Sequence, residues 1–228
     1  MRISTLIPTK NEEARIGPLL DALRSYGAQE VIVCDGSSTD RTREIAQEKG
    51  ARVIVETGGL AAQLNAAARE ASGEGVFFLS ADSTLLCDPY PPIRKALSNP
   101  KNVGGGFSLD LGEDIQWKII SLGANFRARR MGLPMGDQGI FLWRDSFLRI
   151  GGFRKGPLLP DLDLMDRARD LGRVVILKEK LRSSPRRYEE NGLLRNWLAN
   201  QMLLAAHLQF PDRAPKWAEG LLKRLRRR

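Results

Sequence analysis

Three apolar runs of strand length each end in a small polar or acidic cluster, and this repetition constrains the chain more than any other feature. Residues 4–7 run into PTKNEE (8–13), residues 31–33 into CDGSSTD (34–40), and residues 76–79 into SADS (80–83). In a parallel sheet the carboxyl ends of the strands open on one crevice, so the clusters are expected to converge on a single ligand. Carboxylates, amides and hydroxyls gathered in this way suit a nucleotide held with a divalent metal.

The segments between the runs read as helices. Leu19, Leu20 and Leu23 give residues 18–26 one apolar face, with Pro18 fitting a first turn. Ser37, Ser38, Thr39 and Asp40 are suited to cap a helix through Glu48, followed by a strand at 52–56 and a helix at 60–71. Alternating strands and helices predict an α/β fold with a parallel sheet and right-handed crossovers. Further on, Gly104, Gly105 and Gly106 predict a sharp bend. A helix over 115–131 places Trp117, Ile120 and Ala124 on one face, and a strand at 174–177 and a helix at 193–210 close the body. One domain is expected over 1–210, followed by a basic amphipathic tail over 211–228.

Charge and composition exclude several classes. The formal net charge is +9, and six cations stand against Glu219 alone in residues 216–228. A polyanionic partner is implied. The tail places Trp217, Leu221, Leu222 and Leu225 near one helical face, the pattern of peripheral contact with an anionic membrane. No zinc-finger, helix-turn-helix or RNA-binding signature is present, so no nucleic acid partner is expected. Cys34 and Cys87 are too few for a disulfide framework, and His207 alone makes no zinc site. The opening residues lack a signal-peptide stretch and no run is long enough to span a bilayer, which predicts a cytoplasmic body.

Asp82 follows a very apolar run, where a carboxylate at a buried edge can hold Mg2+ or Mn2+ against a diphosphate. Asp35 likewise ends its run and can accept from a ribose hydroxyl or a base N–H. Asn11, Glu12 and Glu13 offer either ligand contacts or a helix cap.

The ordered succession PTKNEE, VIVCDGSSTD, GLAAQLNAA, FFLSADS, GDQGIFLWRDSFLRIGGF and PLLPDLDL resembles the inverting, nucleotide-sugar-dependent glycosyltransferases of family 2. GDQG with the later RRYEENGLLRNW is similar to a compact bacterial branch of that family. The resemblance covers about residues 2–200 and implies the GT-A fold, a Rossmann-like, mostly parallel sheet flanked by helices, with C-terminal helices. It implies that Pro8, Thr9, Asn11 and Glu12 border the nucleobase and that Asp35 lies beside base and ribose. Gln63 and Asn65 belong to the same donor-binding set. Asp82 matches the last aspartate of the metal motif, Asp161 the general base, and Gly136, Asp137 and Gln138 an edge facing donor and acceptor.

Two departures stand out. Ser80 replaces the first acid of the metal motif, and Pro160 replaces the acid before the catalytic aspartate, leaving the basicity of Asp161 to burial and Asp163. Leu60 and Ala62 stand where relatives often carry arginines; these departures imply a weaker enzyme, a different donor, or phosphate contacts supplied by Arg127, Arg129, Arg186 or Arg187. The implied activity is transfer of a sugar, from UDP in preference to GDP, to an acceptor hydroxyl, a lipid being one candidate. A sugar-nucleotide pyrophosphorylase would need a Gly-rich basic loop after the first run, and an NAD-binding protein GxGxxG; neither is present. A non-catalytic member binding a nucleotide sugar or lipid is the alternative that Ser80 and Pro160 leave open.

Overall fold

The computed structural model describes residues 1–155, 159–210, 217–218 and 220–221. The first half alternates as the periodicity requires: β1 (Ile3–Thr9), α1 (Glu13–Ser25), β2 (Glu30–Asp35), α2 (Thr42–Glu48), β3 (Arg52–Val55), α3 (Leu60–Glu70) and β4 (Gly75–Phe78). A short β5 (Ser83–Leu85), α4 (Tyr90–Leu97), β6 (Asn102–Asp110) and α5 (Ile115–Met131) follow. A 3-10 turn at Gly136–Gln138 leads into β7 (Ile140–Trp143) and α6 (Arg144–Arg149). Then come α7 (Pro160–Arg169), β8 (Arg173–Ser183), α8 (Arg186–Asn191) and α9 (Leu193–Gln209).

Among the described residues the strands form one sheet in the order β3-β2-β1-β4-β7-β6-β8-β5. β1 pairs parallel with β2 and β4, β2 with β3, and β6 with β8, while β7 runs antiparallel to β4 and β6. Because β7 is reversed, its amino-terminal end lies at the carboxyl ends of β1, β2 and β4. Each face of the sheet carries its own core. Leu19, Leu20 and Leu23 of α1 pack with Ile93 and Leu97 of α4 on one side, and Leu64, Ala67, Leu162 and Met165 pack around Leu6 and Val76 on the other. This mostly parallel, helix-covered sheet is the expected Rossmann-like architecture.

Three local expectations are corrected. α1 begins at Glu13, so Pro18 lies inside the helix; it faces solvent, where water can hydrate the carbonyl that the missing N–H would have served. The three glycines make no bend but run through β6, buried along its whole length. A Cβ at Gly105 would stand 2.0 Å from the Val175 carbonyl oxygen, and one at Gly104 2.3 Å from that of Phe141, so only glycine admits the neighbouring backbones. β8 extends to Ser183, beyond the expected 177, because after a register shift against β6 its charged second half pairs with β6 on one side and β5 on the other. The 37–40 cluster does precede a helix ending at Glu48: α2 starts at Thr42, whose N–H Asp40 accepts at 3.0 Å.

The tail lies mostly outside the described residues. Of it, Ala218 is buried against Leu203 and Ala206 of α9, with Leu221 packed beside it and Trp217 exposed. No helix among the described residues is long and apolar enough to cross a membrane.

Candidate active site

The carboxyl ends of β1 and β2 are laced together. Asn11 adopts a positive φ of 55°; its N–H donates to Ser38 Oγ at 2.9 Å and its Oδ1 accepts the Thr39 N–H at 2.9 Å. The Glu12 N–H donates to Thr42 Oγ1 at 2.8 Å, and Glu13 Oε2 accepts the Arg41 N–H at 3.0 Å. Glu12 itself pairs with Arg15 at 2.9 Å. These contacts fix one lip of the crevice before any ligand arrives.

Asp35 lies beneath that lip with no exposed surface. Its carboxylate accepts from Thr9 Oγ1 at 3.2 Å, from the Ser38 N–H at 2.8 Å and from Ser38 Oγ, and Arg43 Nε stands 3.9 Å away. Gln63, buried on α3, donates through Nε2 to the carbonyls of Thr9 at 3.0 Å and Cys34 at 2.8 Å. Both side chains therefore brace the crevice floor. Asn65 ties α3 to the Gly151-Gly152-Phe153 turn through both of its amide atoms, accepting the Phe153 N–H at 2.9 Å and donating to the Phe153 carbonyl at 2.8 Å. Phe153 also stacks edge-on to Phe78, at 5.3 Å between centroids, which locks that turn to β4. Cys34, buried nearby, is a free thiol whose pKa burial pushes up to about 12, with Glu56 and Asp35 adding to the effect.

The facing wall is built around the 3-10 turn. Gln138 is fully buried and donates to the Phe107 carbonyl at 3.0 Å, while its Oε1 accepts the Met135 N–H at 3.2 Å. Its neighbours Gly136 and Asp137 are half-exposed. The Gly136 N–H donates to Asp161 Oδ2 at 3.0 Å, and a Cβ at residue 136 would come within 2.8 Å of that oxygen. Glycine at 136 thus lets the backbone approach the carboxylate directly. Asp161 sits in the first turn of α7, opened by Pro160, where an acid complements the helix dipole.

Asp163, two residues on, has a different life. Its buried carboxylate takes Arg167 Nε at 3.0 Å and Nη2 at 2.6 Å, and Arg167 passes further bonds to the carbonyls of Ile150 and Gly152. It is a brace for the 150–152 turn, engaged with a cation, and not an aid to Asp161.

Asp82 follows β4 in a turn closed by the Ser83 N–H donating to the Ser80 carbonyl at 3.1 Å. It lines a cavity of about 430 Å3 together with Arg15, Leu19, Ser83, Leu85 and Arg182. Among the described residues no three His, Cys, Asp or Glu side chains gather as a metal cluster. Asp82 therefore fits a metal only as a shared ion, with one carboxylate from the chain and the remaining oxygens from a diphosphate and water, an arrangement usual for Mg2+. Arg127 stands near Asp137; burial lowers its pKa while Asp137 and Tyr188 act the other way, and its buried Nε has no hydrogen-bond partner among the described residues. Arg129 donates to Ser108 Oγ at 2.7 Å and Arg186 lies 3.9 Å from Glu190, so Arg127 is the better placed of these for an anion. The Arg187 side chain lies outside the described residues.

The structure thus separates the sequence-derived set. Thr9, Asp35, Gln63 and Gln138 are buried braces, whereas Pro8, Glu12, Asn11, Asp82, Gly136, Asp137 and Asp161 are partly or fully exposed. Ser38, Arg43 and Arg182 were not anticipated. Ser38 belongs to a recognised cluster, but Arg182 lies in a charged strand with no motif to mark it.

A family model described as Glycosyl transferase family 2 matches residues 4–149. Among curated proteins the chain is 35% identical over 100 residues to glycosyltransferase AglJ of Haloferax volcanii, covering 38% of this chain and 32% of that protein. It is 30% identical over 149 residues to the dolichol-phosphate mannosyltransferase of Pyrococcus furiosus, covering 59% of this chain and 42% of that one. The chain thus spans less than half the length of these curated relatives. Among solved structures, a mannosyltransferase from Pyrobaculum calidifontis in complex with GDP-Man and Mn2+ superposes with a TM-score of 0.71 at 21% identity, over 97% of this chain and 68% of the other. Glucosyl-3-phosphoglycerate synthase from Mycobacterium tuberculosis, in complex with Mn2+, UDP and glucosyl-3-phosphoglycerate, gives 0.56 at 21% identity, over 78% and 70%.

Proposed function

The chain belongs to glycosyltransferase family 2, and on that premise we propose that it transfers a sugar from UDP or GDP, UDP preferred, to an acceptor hydroxyl with inversion at the anomeric carbon. The observation that carries this reading is the Gly136 N–H bond to Asp161, which holds a carboxylate at the turn leading into β7, beside the end of β4 where Asp82 stands.

In the proposed step Asp161 takes the proton of the acceptor hydroxyl as its oxygen attacks the anomeric carbon, and the nucleoside diphosphate leaves from the opposite face. The Gly136 N–H orients the carboxylate for that transfer. The laced loops from Pro8 to Glu12 and from Asp35 to Thr42 would border the base and ribose. Asp82 would hold Mg2+ or Mn2+, which when bound neutralises charge on the diphosphate. Arg127 and Asp137 would lie at the phosphate and sugar side. A carboxylate is a weak base for an alcohol, so positioning supplies much of the acceleration. The metal and nucleotides in the solved relatives support the donor class.

Calorimetric titration with UDP and GDP, with Mn2+ and with EDTA, tests the donor half. Binding strengthened by metal in the wild type, and lost in that part alone in Asp82→Ala, is expected; equal affinities with and without EDTA would refute the metal assignment. A mass-spectrometric screen of UDP- and GDP-sugars against small sugars and lipid extracts tests transfer. Nucleotide binding with no product from any donor would favour the non-catalytic reading.

A further inference from the structure

Helix α5 is apolar on two faces. Trp117, Ser121, Asn125 and Ala128 point inward, yet Ile115, Ile119, Leu122 and Phe126 are 63% to 74% exposed. Their spacing of four, three and four residues places all four on one narrow stripe. Lys118, Arg129 and Arg130 flank that stripe, Lys118 pairing at 3.4 Å with Glu113 just before the helix and Arg129 reaching Ser108 Oγ; the helix itself contains no acidic residue.

Helix α9 repeats the pattern. Its inner face, Asn196, Ala199, Leu203, Ala206 and His207, is buried. Leu194, Trp197, Leu198 and Met202 on the outer side are 41% to 64% exposed, and Arg195 is the only charge in the helix apart from the histidine. Trp117 of α5, Tyr188 of α8 and Leu193 of α9 share one small apolar cluster, the Trp117 and Tyr188 rings lying 5.9 Å apart. Eight large apolar side chains on these two helices are thus left facing solvent, and apolar surface gathered in this way marks an interaction site.

We propose that the outer faces of α5 and α9 form an interfacial surface that seats the protein on an anionic lipid bilayer. The α5 stripe is bordered by three cations, Lys118, Arg129 and Arg130, against the two acids Glu113 and Asp114 at its start, and a net-basic apolar face of this kind fits the headgroup and acyl boundary of such a bilayer. Two copies of α5 packed face to face would instead bring Lys118, Arg129 and Arg130 against their like. Only the exposed helices carry this surface, so it stands apart from the donor reading.

The test is co-sedimentation of the full chain with phosphatidylcholine vesicles, with and without phosphatidylglycerol, at low and high salt. Wild-type protein binds the anionic vesicles and salt weakens the binding. The double variant Leu122→Ser/Phe126→Ser lowers partitioning by at least about tenfold, and Lys118→Gln/Arg130→Gln lowers it by about fivefold per cation. Both variants alter exposed side chains, so unchanged thermal unfolding confirms that the fold is intact. Partitioning unaffected by the apolar pair overturns the proposal. So does a concentration-dependent dimer in sedimentation equilibrium that Leu122→Ser/Phe126→Ser dissolves while wild-type protein ignores vesicles; that outcome assigns the face to a second copy.

Discussion

Asp161 and Asp163 stand two residues apart on one helix; Asp163 is engaged with Arg167 while Asp161 is the proposed base, so substituting each separates stability from chemistry. The Asp163 side chain is 8% exposed and that of its partner Arg167 14%. Asp163→Ala leaves a buried guanidinium without its carboxylate, a loss of about 3–5 kcal/mol when one partner of a buried pair is removed. The carbonyls of Ile150 and Gly152 continue to accept from Arg167, which puts the expected value at the lower end, about 3 kcal/mol. In a domain of this size that corresponds to a fall of roughly 6–12 °C in Tm. Asp161→Asn keeps the shape and an acceptor for the Gly136 N–H, so it should shift Tm by less than about 2 °C while abolishing transfer and leaving nucleotide affinity within a few fold. Thermal unfolding by circular dichroism, paired with nucleotide titration and product formation, measures both. Asp163→Ala melting with the wild type, or Asp161→Asn active and equally destabilised, would refute the division of labour.

Gly105→Ala should prevent soluble folding or cost more than about 3 kcal/mol, since its methyl group meets the Val175 carbonyl oxygen at 2.0 Å; expression yield and urea unfolding read this, and a stable variant would contradict the close approach. Gln63→Leu should cost about 2 kcal/mol by stranding buried carbonyl partners at Thr9 and Cys34, visible as a lower urea midpoint with unchanged slope. His207, the single histidine, is buried on α9 and burial lowers its pKa against the opposing pull of Asp163 and Asp166. Its unfolded form titrates near 6.5 and binds the proton more readily than the folded one, so its contribution to stability is complete above about pH 6.5 and declines as pH falls below it. His207→Gln should flatten that acid limb in melts between pH 5 and 8, and an unaltered limb would disprove the attribution.

The alternation of strands and helices was legible because apolar runs and caps are local signals. Residues 115–131 and the helix from 193 were likewise set by periodicity. What resisted reading depended on distant neighbours. Gly104 to Gly106 look like a bend in isolation, and only the backbones of β7 and β8 on either side explain them. The second half of β8, rich in Lys, Glu and Arg, hides a strand because its partners, the end of β6 and the three-residue β5, lie about seventy and about a hundred positions away. Within the site, the polar clusters at the strand ends disclosed which segments gather, but not which side chains face inward. Thr9, Asp35, Gln63 and Gln138 carry the same functional groups as the accessible residues, and burial alone separates brace from contact.

The lacing of the two loops at the ends of β1 and β2 bears on kinetics. Asn11, Glu12 and Glu13 are joined to Ser38, Thr39, Asp40 and Thr42 by bonds between side chains and backbone that cross the crevice mouth. A ligand meeting that lip has few torsions left to freeze, so the entropy of ordering is spent during folding and does not recur at each encounter. Nucleotide association at this side should therefore proceed in a single phase whose rate rises linearly with concentration, without the plateau that a slow loop closure would impose.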